Sequence, residues 1–362
     1  MLSLQTETIE LFFALIRCGI GKENSLPQNP TTEQWQALFD ISKKQTLAGI
    51  TFAGIERLPS EQRPPKDIIL QWYTLCEGIK KRNIDLNNKV AIVSEKFRTE
   101  GFNNCILKGQ GIALLYPNPL LRMPGDIDIW LDGGDKKVIS YVKRIFPNSS
   151  PTYHHVDFPI SSDVDIEIHY RPSWMCSPLR NNRIQRFYAT QAKQLFANMA
   201  EGEGFTVPSI EFNRIFILHH IYRHLFSEGI GIRQILDYYF VMQQQMTKEE
   251  KALYIKQLKE FGLYKFASAI TYVMQRMFAL DEAYTFIKPN EKEGKFLLHE
   301  IMTAGNFGMY DTRYTQAEHG LNRSHISNIA KRSFILFTHY PSETLWTPLF
   351  KIWHCFWRKR HK

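Results

Sequence analysis

The residues able to do chemistry gather in two short runs, Gly125-Asp126-Ile127-Asp128-Ile129-Trp130-Leu131 and Asp163-Val164-Asp165-Ile166-Glu167-Ile168-His169. Side chains alternate across a β-strand, so Asp126 and Asp128 share one face of the first run while Ile127, Ile129 and Leu131 share the other. In the second run Asp165, Glu167 and His169 fall together, with Val164, Ile166 and Ile168 opposite. Carboxylates held side by side repel one another unless they face solvent or a cation bridges them. Hard oxygen ligands of this kind suit Mg²⁺, which takes one or two carboxylates and completes its shell with water and substrate phosphates. If the second strand lies beside the first, a third acid joins the pair. Paired ions could then activate an attacking oxygen and stabilise the leaving oxygen of an in-line phosphoryl displacement. A pair of acids at a strand end is also an ordinary surface feature, so the surrounding elements must decide.

Those elements begin upstream with Cys105-Ile106-Leu107, a short apolar strand, followed by Lys108-Gly109-Gln110-Gly111 and the apolar run Ile112-Ala113-Leu114-Leu115-Tyr116. The order is strand, glycine turn, helix. Such a turn lets backbone N–H groups and the helix dipole approach an anion, with Lys108 adding charge; the plainer alternative is a tight connection. Pro117-Asn118-Pro119 ends the helix, since proline cannot continue it and restricts the residue before it. The chain then returns through Arg122 to the acidic strand.

The run LKGxGxALLYPxPxxRxxGDIDIWL, with DIEIHYRP after it, resembles the poorly characterised bacterial nucleotidyltransferase family of the polymerase-beta-like superfamily, over residues 95–175. The resemblance implies an α+β fold, a nucleotidyltransferase-type mixed sheet flanked by helical regions on both sides. It implies that Asp126 and Asp128 are metal ligands, that Glu167 is the third carboxylate with Asp165 as its alternate, and that Gly109 is the phosphate-turn glycine. Gln110 stands where the superfamily pattern has a small Gly or Ser, and the interval from turn to acids is longer, with Pro117, Pro119 and Pro124 inside it. Lys108 and Arg122 are therefore expected to join Gly109 and Gln110 in holding phosphates. The implied reaction moves a nucleoside monophosphate from an NTP to an acceptor hydroxyl on RNA, a protein or a small molecule, with Mg²⁺ or Mn²⁺ and release of pyrophosphate. A catalytically silent module on the same fold, binding RNA or a partner protein, is the alternative.

A chain of 362 residues admits two or three domains. The expected division is 1–94, an N-terminal helical region; 95–200, the catalytic core; and 201–362, a C-terminal helical region. With 44% hydrophobic and 22% charged residues the composition is that of a folded soluble protein rather than a disordered one. The net charge of +9 favours polyanionic partners without choosing among nucleotide, RNA and an anionic membrane surface. Five cysteines, with no CxxC pair, read as free thiols in a reducing compartment. Glu7 and Glu10 stand where a signal peptide would be positive, so the first segment reads as an amphipathic helix. No stretch has the apolar length of a membrane span. A cytoplasmic protein is expected.

Helical spacing runs from Lys66 to Glu100, where Lys80, Lys81 and Arg82 could meet nucleic acid or simply face water. A helix over Lys136 to Phe146 should separate the acidic strands, and His154 to Ile160 should hairpin onto the second through Ser161-Ser162-Asp163. His154, His155, Asp157 and His169 offer a transition-metal site as a rival to Mg²⁺. Phe212 to Met242 places His220 and His224 four apart, breaks at Gly229 and Gly231, and then places Arg233 and Asp237 four apart. No Glu follows the first histidine, so the base of HExxH zinc chemistry is lacking. Either His224, Arg233 and Asp237 line the cleft and contact base or phosphate, or Arg233 and Asp237 pair along the helix beside core histidines. The loop Gly305 to Gly320, with Arg313, could cover a substrate or merely connect helices. The tail, with Trp346, Phe350, Trp353, Phe356 and Trp357 before its Lys and Arg cluster, either docks on its own domain with the basic end in water or makes a weak contact with an anionic surface.

Overall fold

The computed structural model describes residues 2–200, 202–313 and 331–361, so residues 314–320 of the expected loop lie outside the described residues. Four helices come first: α1 (Leu2–Gly19), α2 (Thr32–Lys44), α3 (Ala48–Arg57) and α4 (Lys66–Thr99). Helix α4 has 34 residues, about 51 Å of rise. Its buried stripe, Ile68, Trp72, Cys76, Ile79, Asn83, Leu86, Val90, Val93 and Phe97, recurs at steps of four and three, which keeps it on one side of the helix. The first half of that stripe packs into a helical core with Trp35, Leu38 and Phe39. The second half lies on a sheet core with Ile129, Ile168 and Val142. One helix thus spans both cores, and Asn83 is the polar residue where they meet.

The sheet is built from β1 (Asn104–Ile106), β2 (Ile127–Leu131), β3 (His155–Asp157) and β4 (Ile166–His169), in the order β1-β2-β4-β3. Strands β2 and β4 are parallel, and both outer pairs are antiparallel. Helix α5 (Gln110–Ala113) lies between β1 and β2, and α6 (Gly134–Ile145) between β2 and β3. The alternation read from the sequence separates two environments. Ile127, Ile129 and Leu131 join the sheet core with α4 and α6, whereas Trp130 joins the helical core, its ring 5.1 Å from Phe196 and 6.0 Å from Phe212. Two elements are shorter than expected. Helix α5 is a single turn rather than a run to Tyr116, because Gly109 and Gly111 are poor helix formers and Pro117 forbids continuation. Strand β3 stops at Asp157, ahead of Pro159, which has no N–H to give a ladder.

After the sheet come α7 (Pro178–Leu195), α8 (Ile210–Ser227), α9 (Ile232–Met242), α10 (Lys248–Glu260), α11 (Tyr264–Phe278) and α12 (Glu291–Ala304), then α13 (331–337) and α14 (Pro341–His361). Side chains of α8, α9, α11 and α12 share the helical core with those of α1 to α3. Helices from before and after the sheet therefore wrap one apolar interior on the carboxylate side of β2. One face of the tail docks on its own chain: Phe350 lies 5.7 Å from the Tyr153 ring and 5.8 Å from Trp174. Among the described residues no helix is long and apolar enough to cross a membrane.

Candidate active site

Gly109 has φ 57° and ψ −114°, a conformation that only glycine adopts without strain. The chain can reverse there directly after β1, where the Leu107 amide donates to the Asp128 carbonyl at 3.0 Å. The reversal brings Lys108 Nζ to 3.3 Å from Asp126 Oδ2 and 3.0 Å from Asp128 Oδ2. The Asp126 side chain is 41% exposed and that of Asp128 1%, so one acid faces the opening and the other the interior. Burial pulls the Lys108 ammonium towards deprotonation, but Asp128 and Asp126 outweigh it and its pKa rises well above the ordinary lysine value. In return, Lys108 lowers the pKa of Asp126.

The parallel pairing of β2 and β4 sets Asp128 opposite Glu167 and Trp130 opposite His169. His169 Nε2 donates to Asp128 Oδ1 at 2.8 Å and lies 3.3 Å from Glu167 Oε2, while its Nδ1 donates to the Arg171 carbonyl at 3.3 Å. A carboxylate and a carbonyl can only accept, so both ring nitrogens carry hydrogen and His169 is an imidazolium. Burial opposes that charge; the hydrogen bonds to Asp128 and Glu167 prevail and raise its pKa to about 9. His155 Nδ1 lies 2.9 Å from Glu167 Oε2. Glu167 is drawn well below the ordinary carboxylate range, its burial overcome by His155 and His169.

The donor set fits a divalent cation. Asp128 and Glu167 bring carboxylate oxygens within 4.8 Å of each other, and the buried Asp128 Oδ2 accepts no hydrogen bond although the Lys108 ammonium is beside it. Asp126 and Asp128 supply hard oxygen on the same side of β2, as Mg²⁺ or Mn²⁺ requires. The histidines of the rival transition-metal reading also converge, with ligand atoms of His154, His155 and His169 within 4.8 Å. Of the three, His169 is doubly protonated and has no lone pair to offer, His154 Nδ1 lies 3.1 Å from Thr152 Oγ1, and His155 Nδ1 lies 2.9 Å from Glu167 Oε2 without a hydrogen bond.

Helices α8 and α9 form the opposite wall. Lys108, Asp126, His220 and Arg233 line a pocket open to solvent. Arg233 is buried, donates from Nη1 to the Met123 carbonyl at 2.9 Å, leaves Nε without a partner and makes no ion pair among the described residues. Burial and the neighbouring Arg122 lower its pKa. Arg223 is similar: its guanidinium lies 4.2 Å over the Trp174 ring and donates to His224 Nε2 at 3.3 Å, with Nε unpartnered. His224 in turn donates from Nδ1 to Glu228 Oε2 at 2.9 Å. This fixes His224 as a neutral tautomer, in line with the lowering of its pKa by burial and Arg223.

Gly109, Arg122 and Asp237 line the same pocket as Lys108, Asp126 and Arg233. The expected pairing along α9 is replaced by a longer-range one. Asp237 accepts from Arg122 Nε and Nη2 at 2.8 Å each and from the Tyr116 hydroxyl at 2.6 Å, while Arg233 holds the loop before Asp126. Gln110 is buried and points to α4, donating to Asn83 Oδ1 at 3.2 Å and Asn87 Oδ1 at 2.9 Å. Asp165 is exposed outside β4, its carbonyl accepting the Ile127 amide at 2.9 Å. Sequence reading missed Asn83, whose Nδ2 donates to the Leu120 and Arg122 carbonyls at 2.8 Å each. The available signal was an isolated polar residue in the apolar stripe of α4. Arg223 stands between His220 and His224 in the sequence and carries no spacing signal of its own.

Residues 31–279 match a protein family described as an uncharacterised nucleotidyltransferase. No curated protein matches the chain. A solved structure of an antigenic nucleotidyltransferase-like protein from Paracoccidioides brasiliensis is similar at 15% identity, over 57% of this chain and 95% of its own, with a TM-score of 0.35.

Proposed function

The chain belongs to the uncharacterised nucleotidyltransferase family, and on that premise we propose that it transfers a nucleoside monophosphate from an NTP to an acceptor hydroxyl, with Mg²⁺ or Mn²⁺ as cofactor. One observation carries this reading: oxygen ligands and carboxylate-free guanidinium meet at one pocket, Asp126 beside Arg233, with Asp128 behind. Asp126 and Asp128 would hold the cation, with Glu167 completing the set. When bound, the cation neutralises charge on the transferring phosphoryl group and eases loss of the hydroxyl proton. In the overall change the acceptor oxygen bonds to the α-phosphorus, the bond to pyrophosphate breaks and the hydroxyl proton leaves.

Arg233 and Lys108 attract the triphosphate, one through its unpartnered Nε–H and the other as an ammonium lining the same pocket. Arg122 acts indirectly, since its bidentate pair with Asp237 fixes the loop that delivers Asp126. Glu167 is a weak base in this setting, because His155 and His169 stabilise its ionised form; its part is to hold the cation. Binding without transfer is favoured by a different observation, that Lys108 and His169 already neutralise Asp128. Incubation with labelled NTPs, Mg²⁺ or Mn²⁺ and RNA, protein or small-molecule acceptors decides. Transfer of label with pyrophosphate release, lost in Asp126→Ala/Asp128→Ala, supports the enzyme. Nucleotide binding unchanged in that variant, or salt-sensitive RNA binding without metal, supports the silent module.

A further inference from the structure

Helix α14 docks through one face and leaves the other bare. Thr347 Oγ1 donates to Cys176 Sγ at 3.6 Å and Phe350 packs on Tyr153 and Trp174. On the opposite side Leu345, Leu349, Ile352 and Phe356 are 61%, 57%, 58% and 61% exposed. Their spacing of four, three and four puts them in one line, about 17 Å long. Trp346 and Trp353 flank the line and are also exposed. No charged residue of α14 is exposed between Leu345 and Phe356.

Cations bracket this strip at both ends. Beside Trp346 a surface depression is lined by Arg180, Arg183 and Lys259, with Glu260 as its acid. At the other end Lys359 and Arg360 are exposed in the last turn, and Lys143 Nζ donates to the His361 carbonyl at 2.6 Å. Among the described residues Arg180, Arg183, Lys259, Lys359 and Arg360 make no ion pair. The apolar line alone would suit a second copy of the helix. Charge opposes that: antiparallel copies bring the last turn of one against the arginine cluster of the other, and parallel copies set each cluster against itself. A nucleic acid would use the cations but not the aliphatic line between them. We infer that the outer face of α14 lies in the surface of an anionic phospholipid bilayer, with Leu345, Leu349, Ile352 and Phe356 entering the acyl boundary, the tryptophans at headgroup level and the two cationic ends on lipid phosphates.

The test is co-sedimentation of the full chain with vesicles of phosphatidylcholine alone, or of one part phosphatidylglycerol to two of phosphatidylcholine. The expected result is partition onto the anionic vesicles that weakens with salt. Lys359→Gln/Arg360→Gln should lower it roughly 30-fold and Ile352→Asp/Phe356→Asp about tenfold or more, both with an unchanged thermal melt because all four side chains are exposed. Chain that stays in the supernatant with anionic vesicles overturns the inference, as does equal binding to neutral vesicles or wild-type partition by both variants. A dimer in light scattering that Ile352→Asp/Phe356→Asp abolishes would assign the face to a second copy, and RNA binding lost in both variants without vesicle binding would assign it to nucleic acid; either outcome overturns it.

Discussion

Replacing Asp237 by Ala tests whether the Arg122–Asp237 pair is the clamp between the acidic strand and the helical wall. Arg122 is 5% and Asp237 5% exposed, and two 2.8 Å hydrogen bonds join them. The variant leaves the guanidinium charged and buried, since no second carboxylate bonds it, and also strands the Tyr116 hydroxyl. Removing one member of such a pair costs about 3–5 kcal/mol, mostly the penalty of the uncompensated charge. With an unfolding entropy of about 2.1 cal/mol/K per residue, 362 residues give about 0.76 kcal/mol/K. If the chain unfolds as one unit, Tm should fall by about 4–7 °C. Differential scanning calorimetry and urea midpoints measure this. Arg122→Met/Asp237→Leu is the control: it removes both charges and should recover more than half of the loss. A loss below about 1 kcal/mol in Asp237→Ala, or a double variant as unstable as the single, would refute the clamp.

Three further outcomes are expected. Gly109→Ala should cost about 1–3 kcal/mol, because φ 57° with ψ −114° strains any side chain; an unchanged denaturant midpoint would count against the turn. Asn83→Leu completes the apolar stripe of α4 yet should destabilise by about 2–4 kcal/mol, since it orphans the Leu120 and Arg122 carbonyls and leaves the Gln110 amide with Asn87 alone; a neutral or stabilising result would show that the junction does not need them. His219 donates from Nε2 to the Trp174 carbonyl and accepts the Tyr188 hydroxyl at Nδ1, so it is buried neutral, and burial with Arg223 holds its pKa at about 3. Its contribution is complete above the unfolded value of about 6.5 and is lost as pH falls towards 3, by up to about 1.4 kcal/mol per pH unit. Unfolding free energies of wild type and His219→Gln across that window should converge at low pH, and parallel curves would dismiss the assignment.

Much of the fold was legible because period alone carries it. The two-residue alternation of Ile127, Ile129 and Leu131 against Asp126 and Asp128 becomes a division between two cores, and the acid on the second strand arrives opposite Asp128 through the pairing of β2 with β4. The helix after the glycine turn was overread. Apolar content from Ile112 to Tyr116 looks helical, but two glycines and two prolines leave room for one turn only. Its dipole is correspondingly small, so positive charge in the pocket comes from side chains, Lys108 and Arg233, rather than from backbone.

The site was legible in its acids and not in its cations, for a physical reason. Carboxylates on one strand are related by a fixed two-residue step, so their meeting can be read from spacing. Their counter-ions come from sequence distances that no local period encodes: Lys108 reaches β2 around the Gly109 reversal, and Arg122 finds Asp237 at a separation of 115 residues. The nearer choice, Arg233 with Asp237 along α9, satisfied the helical step, yet the structure gives the carboxylate to the arginine that can approach it with both nitrogens in plane. Arg233 is thereby left without a carboxylate beside Asp126. A buried guanidinium in that state is stable only while its neighbourhood supplies negative charge. Asp126 supplies part of it, and the phosphates of a nucleotide entering between Lys108 and Arg233 would supply the rest. The same pairing that misled the helical reading is thus what keeps an arginine available at the pocket.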